Sequence, residues 1–153
     1  MSNVKIKTLG PNVVVPVRMS DGAAAYDVLL PEDVYIKPGR NKIGLGFALE
    51  IPDGMEAKIE PRSGFSCNGM VDCYGQRFDA DVLVGKIDSD YRGEVSVIIK
   101  SCERYNRMML EGTRVAQMTF YKVESVQFLE VDELTKTERG NGGFGSTGTG
   151  AGA

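Results

Sequence analysis

The segment Gly85-Lys86-Ile87-Asp88-Ser89-Asp90-Tyr91-Arg92-Gly93-Glu94 sets two carboxylates and an aromatic ring at a turn between apolar stretches. Asp and Gly suit any turn. The same set also provides a carboxylate base for a water molecule and a ring face for a sugar. Pro61-Arg62-Ser63-Gly64 joins a cation, a hydroxyl and a glycine where a strand gives way to a short helix. Free backbone N–H groups at such a point bind anions. Gly112-Thr113-Arg114-Val115-Ala116-Gln117-Met118 opens a strand with Arg114 and Gln117 three residues apart. On a regular strand that spacing points them to opposite faces, and so predicts different roles. The sequence contains no His, which removes Ser-His-Asp triads, Cys-His pairs and HExxH zinc sites. Acid-base work then falls to Asp, Glu, Lys, Tyr, Cys or a metal-bound water.

A second group lies at the C-terminus. Seven of the 19 glycines fall in the last 14 residues, among which stands Phe144, with Arg139 immediately before them. Such a composition buries too little apolar surface to order itself, and frayed termini are common. On composition alone the frayed terminus leads, but the segment also suits a flexible arm that offers backbone donors and hydroxyls to phosphate, with Phe144 as a stacking platform.

The elements that must hold these groups read as strands. Apolar residues alternate or form short β-branched runs at residues 4–7, 13–17, 34–36, 55–59, 82–84, 95–99, 115–121 and 126–131. Turn pairs separate many of them: Asp21-Gly22, Pro38-Gly39, Asp53-Gly54, Arg92-Gly93 and Glu111-Gly112. Short strands at this spacing predict an all-β sandwich or barrel. Helical periodicity is confined to residues 63–70 and 101–106, predicting at most one or two short helices. Composition shifts once, near residue 138, dividing the chain into a β-domain of residues 1–137 and an arm of residues 138–153.

The 153 residues, 42% of them hydrophobic, suffice for one core. A net charge of −3 argues against coating nucleic acid. No apolar run reaches a membrane-spanning length, and the first ten residues lack the apolar stretch of a secretory leader. Cys67, Cys73 and Cys102 are an odd number, which predicts free thiols and a cytoplasmic setting rather than a disulfide framework.

Taken in order, five segments resemble those of the trimeric dUTPase family. They are Ala24-Ala25-Tyr26-Asp27-Val28, Pro61-Arg62-Ser63-Gly64, residues 85–94, residues 112–118, and Arg139-Gly140-Asn141-Gly142-Gly143-Phe144-Gly145-Ser146-Thr147-Gly148. The resemblance implies a distorted jelly-roll, or β-clip, barrel assembled as a homotrimer. It implies hydrolysis of dUTP to dUMP and pyrophosphate by water attack on the α-phosphorus, keeping uracil out of DNA and supplying dUMP for thymidylate synthesis. Mg²⁺ is the implied cofactor, held mainly by substrate phosphates and water with no direct protein ligand.

Carried over by residue, Asp88 is the general base and Tyr91 packs under the deoxyribose. Arg62, Ser63, Gly64, Gln117, Arg139, Gly145, Ser146 and Thr147 bind phosphate. Phe144 stacks on uracil, and Val82 and Ile87 belong to the strand that reads the base. Asp27 and Arg114 order the phosphate and metal region. The arm of one chain closes a site built by others; neither nucleic acid nor a membrane is an implied partner. Alternatives are a dCTP deaminase or bifunctional deaminase-diphosphatase of the same superfamily, or a non-catalytic nucleotide-binding trimer. The link between Gly64 and Asp81 is longer than in typical members; it reads first as an inert surface loop, and second as a segment that alters a subunit contact.

Overall fold

A computed structural model of the chain describes residues 2–143. Its strands, in chain order, are β1 (Lys5–Thr8), β2 (Tyr26–Leu29), β3 (Val34–Ile36), β4 (Gly39–Glu50), β5 (Met55–Glu60), β6 (Met70–Val71), β7 (Arg77–Phe78), β8 (Ala80–Leu83), β9 (Gly85–Ile87), β10 (Glu94–Ser101), β11 (Arg107–Met109) and β12 (Arg114–Lys122). One short helix, α1 (Ser63–Asn68), lies between β5 and β6.

Two antiparallel four-stranded sheets form the body, ordered β1-β4-β10-β8 and β2-β12-β5-β9. Non-consecutive neighbours in both sheets give the crossovers of a jelly roll. Alternation explains which faces meet. Leu45, Phe47 and Leu49 of β4 join Val95, Val97 and Ile99 of β10 in one buried cluster. Val28, Ala57, Ile59, Val115 and Met118 of the second sheet complete it. Each such aliphatic or aromatic side chain contributes roughly 1.5–3 kcal/mol by leaving water.

Four sequence expectations are corrected. Residues 13–17 form only an isolated bridge, Val17 with Asp27, rather than a strand. Residues 101–106 are not helical: Ser101 ends β10, and the Cys102 N–H donates to Asp79 O at 2.9 Å. Residues 126–131 alternate as a strand does, yet form none within the described chain. A strand needs a neighbouring backbone, and none of the described residues pairs with this stretch. Val126, Phe128, Leu129 and Val131 are left exposed, Phe128 at 94%.

The fourth correction concerns residues 64–81, which do not form a surface loop. After α1, Gly69 takes φ 74° and ψ 171°, a conformation that is essentially glycine's alone. A Cβ there would stand 2.6 Å from Phe78 O. The close approach lets β6 and β7 pair as a hairpin, burying Met70 completely and Phe78 almost so. At the hairpin tip, Asp72 Oδ1 accepts the N–H groups of Tyr74 and Gln76, both at 2.9 Å. Arg107 Nη1 donates to Asp72 Oδ2 at 3.2 Å and Nη2 to Glu103 Oε2 at 3.1 Å. Burial pushes the Asp72 carboxyl up, but the two N–H groups and Arg107 outweigh it and hold it below its ordinary range. The inserted link is therefore fastened to the body.

Candidate active site

The loop that carries Asp88 and Tyr91 joins β9 of one sheet to β10 of the other. It is closed by its own groups. The Tyr91 N–H donates to Asp88 O at 3.2 Å, and Arg92 Nη1 donates to Ser89 O at 2.6 Å and to Tyr91 O at 3.0 Å. Tyr91 Oη donates to Glu94 O at 3.1 Å, folding the phenol back over the loop. Asp88 is exposed and Tyr91 43% exposed. Both line a cavity of about 250 Å³ with Gly85, Ile87, Ser96 and Ile98. A carboxylate, a ring and an apolar wall thus share one hollow. Val82 does not line it: the side chain is buried, and Val82 pairs with Ile99 in the β8–β10 ladder.

A second cluster surrounds Asp27, which is only 8% exposed. Its Oδ1 accepts from Arg62 Nε at 3.1 Å and its Oδ2 from Arg114 Nη1 at 3.4 Å. Arg62 Nη1 also donates to Arg114 O at 3.2 Å. One carboxylate thus holds two guanidinium groups whose remaining N–H donors suit phosphate. The expectation that Arg114 and Gln117 lie on opposite faces is corrected. A bulge between Arg114 and Ala116 puts Arg114 opposite Leu29 and Gln117 opposite Asp27. Leu29 and Asp27 share a face, so Arg114 and Gln117 do as well. Buried Val115 and Ala116, adjacent and both fully covered, mark the same extra residue. Gln117 lies in register between Asp27 and Glu60. Ser63 and Gly64 begin α1, next to Arg62.

The two groups are not brought together within one chain. Ile59 pairs with Gly85 and Ala57 with Ile87, so β9 runs away from Arg62. Continuing that register sets Asp88 level with Glu56, six residues from Arg62 and roughly 20 Å away along an extended strand. Arg139 Nε donates to Gly142 O at 2.8 Å in an exposed turn. Phe144, Gly145, Ser146 and Thr147 lie outside the described residues.

Sequence reasoning missed the ion cluster on the outer face of β5. Alternation in Met-Glu-Ala-Lys-Ile-Glu places Glu56, Lys58 and Glu60 on one side, and that pattern is the signal that could have found it. Glu56, 7% exposed, accepts from Lys86 at 2.5 Å and Lys58 at 3.4 Å. The Lys86 hydrogen bond holds the Glu56 carboxyl below its usual range, and the same bond raises Lys86. Lys58 Nζ also lies 4.3 Å from the centroid of the Tyr121 ring. This cluster clamps β9 to β5 immediately before Asp88. Glu60 in turn accepts from Thr119 Oγ1 at 2.7 Å, tying β5 to β12 beside Gln117.

Comparison with known proteins agrees with this architecture. The family profile described as dUTPase matches residues 12–148. The deoxyuridine 5'-triphosphate nucleotidohydrolase of Paramecium bursaria Chlorella virus 1 is 37% identical over 149 residues, covering 97% of this chain and 99% of the relative. Among solved structures, the dUTPase of Staphylococcus bacteriophage 80alpha with dUPNHPP superposes with a TM-score of 0.83 at 25% identity, covering 97% of this chain and 99% of that one. A point variant of the dUTPase from phage phi11 of S. aureus, described with a structural Mg(II) ion, gives a TM-score of 0.74 at 21% identity, covering 86% and 98%.

Proposed function

This chain belongs to the dUTPase family, and from that premise we propose how its residues divide the work of hydrolysing dUTP to dUMP and pyrophosphate. Asp88 is the general base that orients a water molecule and takes its proton as the oxygen attacks the α-phosphorus. A carboxylate suffices for this, because in phosphoryl transfer positioning and charge stabilisation supply most of the acceleration. Tyr91 packs its ring under the deoxyribose and leaves no space for a 2′-hydroxyl. Ile87, and the backbone between Val82 and Ile87, form the edge that reads uracil.

Arg62, Ser63, Gly64 and Gln117 bind the phosphate chain. Asp27 fixes Arg62 and Arg114 so that their free donors are aimed before substrate arrives. Arg139 takes the terminal phosphate, Phe144 stacks on the base, and Gly145, Ser146 and Thr147 add donors. Residues 138–153 form the closing arm of a β-domain that spans residues 1–137.

Magnesium would be held mainly through the substrate phosphates and water. Among the described residues no three Asp, Glu or Cys side chains converge as a metal cage. Mg²⁺ needs no such cage when phosphate oxygens and water fill most of its octahedron. When bound there, it withdraws charge from the phosphates and makes the phosphorus a better electrophile. The residues named above do the rest: they hold the phosphates, orient the water and accept its proton.

The observation that carries the assembly is the distance between Asp88 and Arg62 along β5 and β9. A homotrimer with shared sites resolves it, Asp88 and Tyr91 of one chain meeting the arginine cluster of another. The exposed apolar residues at 126–134 support the same reading, since such a stretch marks an interaction surface. The working compartment is the cytoplasm, where the free thiols of Cys67, Cys73 and Cys102 stay reduced. Among the described residues no helix is long and apolar enough to cross a membrane.

Pyrophosphate release measured side by side for dUTP, UTP, dCTP and dTTP tests the reading. We expect turnover of dUTP, with UTP disfavoured by about 10²-fold, the scale a packed pocket imposes on one added hydroxyl. Equal rates for UTP would remove the sugar role of Tyr91. Equal rates for dCTP would remove base reading from the β8–β9 edge.

A further inference from the structure

We propose that Gly93 is a positioning residue for sugar recognition: its missing side chain is the seat on which the Tyr91 phenol rests. The proposal builds on the reading of Tyr91 as the deoxyribose platform. A Cβ on Gly93 would collide with Tyr91 Oη, and would stand 2.6 Å from Cζ and 3.0 Å from Cε2. Real Cβ atoms essentially never come so near a neighbour. The contact involves the far half of the ring, the part that the hydroxyl anchors to Glu94 O at 3.1 Å. Gly93 therefore cannot gain a methyl group while Tyr91 keeps this position.

The backbone gives no other reason for glycine here. Gly93 is not among the glycines with positive φ, so alanine is unstrained at this position. The steric cost falls on the ring alone. Two features then decide what moves. The loop is braced by Arg92, which donates to Ser89 O and Tyr91 O. Tyr91 is 43% exposed and lines the cavity. With its backbone tied, the side chain has to leave its position, and the wall it shares with Asp88 and Ile87 changes shape. A displaced ring leaves the sugar loosely seated and the 2′ position open, and shifts the α-phosphorus from the Asp88 water. A displacement of about 1 Å at a reacting centre is enough to cost on the order of 10²-fold.

The test is a double-mutant cycle on the intact protein, reading kcat and KM for dUTP and UTP together with Tm. Gly93→Ala is expected to lower kcat/KM for dUTP by tenfold or more and to shrink the dUTP/UTP ratio several-fold, with Tm unchanged. Tyr91→Phe keeps the ring and loses one hydrogen bond, so its effect stays within about tenfold. In a Tyr91→Ala background the Gly93→Ala change is expected to add nothing, because the group it displaces is gone. A wild-type dUTP/UTP ratio in Gly93→Ala overturns the proposal. So does an equal loss from Gly93→Ala with and without the Tyr91 ring, since Gly93 would then act through something else. A Tyr91→Ala variant with the wild-type ratio sinks the sugar-platform reading itself, and is distinguished from those two by needing no change at Gly93. If Gly93→Ala alone unfolds, the Tyr91→Ala/Gly93→Ala pair decides: a folded double variant assigns the damage to the ring contact, and an unfolded one overturns it.

Discussion

An Asp88→Asn variant is expected to lose dUTP turnover by between 10² and 10⁴, the range general-base catalysis supplies. The carboxamide keeps the shape of the carboxylate and removes its basicity. Asp88 is exposed at a loop tip, so the substitution disturbs no buried network and stability should stay within about 0.5 kcal/mol. The loss should therefore fall in kcat with KM nearly unchanged, the pattern of an interaction needed only as the barrier is crossed. Steady-state kinetics with equilibrium binding of a non-hydrolysable dUTP analogue reads both quantities. Near-normal kcat would remove Asp88 from the role of base.

Deletion of residues 138–153 is expected to be the second most damaging change. It removes Arg139 and Phe144, the Ser146 and Thr147 hydroxyls that follow, and the backbone donors of the glycines around them. Lost phosphate donors cost on the order of 10²-fold each when they act at developing charge, and an unclosed site admits water that weakens those remaining. The fold should persist, because β12 ends at Lys122 and, among the described residues, none beyond Phe120 belongs to the hydrophobic cluster or packs against it. Unchanged Tm and unchanged oligomeric state, with kcat/KM reduced by 10² or more, is the expected result. Full activity in the truncated chain would return the glycine-rich end to an ordinary frayed terminus.

Much of the fold is legible in the sequence, for identifiable reasons. Residues 55–59 and 95–99 read as strands because one face of each sheet is buried, and burial on one face writes a period of two into the sequence. The turn at 85–94 is legible because its chemistry is local: Asp, Gly and Arg satisfy the loop from within. The 12-residue β4 (Gly39–Glu50) does not stand out in the pattern, although Leu45, Phe47 and Leu49 alternate. Gly44 and Gly46 interrupt the run, and Glu94 Oε1 accepts the Gly46 N–H at 2.8 Å where the ladder with β10 is irregular. The bulge at Arg114 leaves no mark for a similar reason. An extra residue changes no composition, yet it turns Arg114 and Gln117 onto one face.

Non-local contacts account for the remaining differences. Nothing within residues 64–81 says that Met70 and Phe78 find the core, because the groups that bind the hairpin, Glu103, Arg107 and Met108, lie some 30 residues later. Residues 126–131 have strand chemistry, but within the described chain they have no neighbour with which to pair. The separation of Asp88 from Arg62 is equally hidden. The two motifs lie close in sequence order, and only the antiparallel register of β5 and β9 sends them to opposite ends of the sheet.

That separation makes complementation the most direct measurement of the central claim, that each site is built from more than one chain. Asp88→Asn and Arg62→Ala variants are to be prepared separately, each with dUTP hydrolysis strongly reduced. They are then mixed in equal amounts, dissociated and reassembled. In a mixed trimer some sites pair an intact Asp88 with an intact Arg62 from the other variant. Random assembly then restores roughly a quarter of wild-type pyrophosphate release, the product of two one-half chances. A mixture no more active than its two parents would mean that Asp88 and Arg62 serve the same site from the same chain, and would contradict the account.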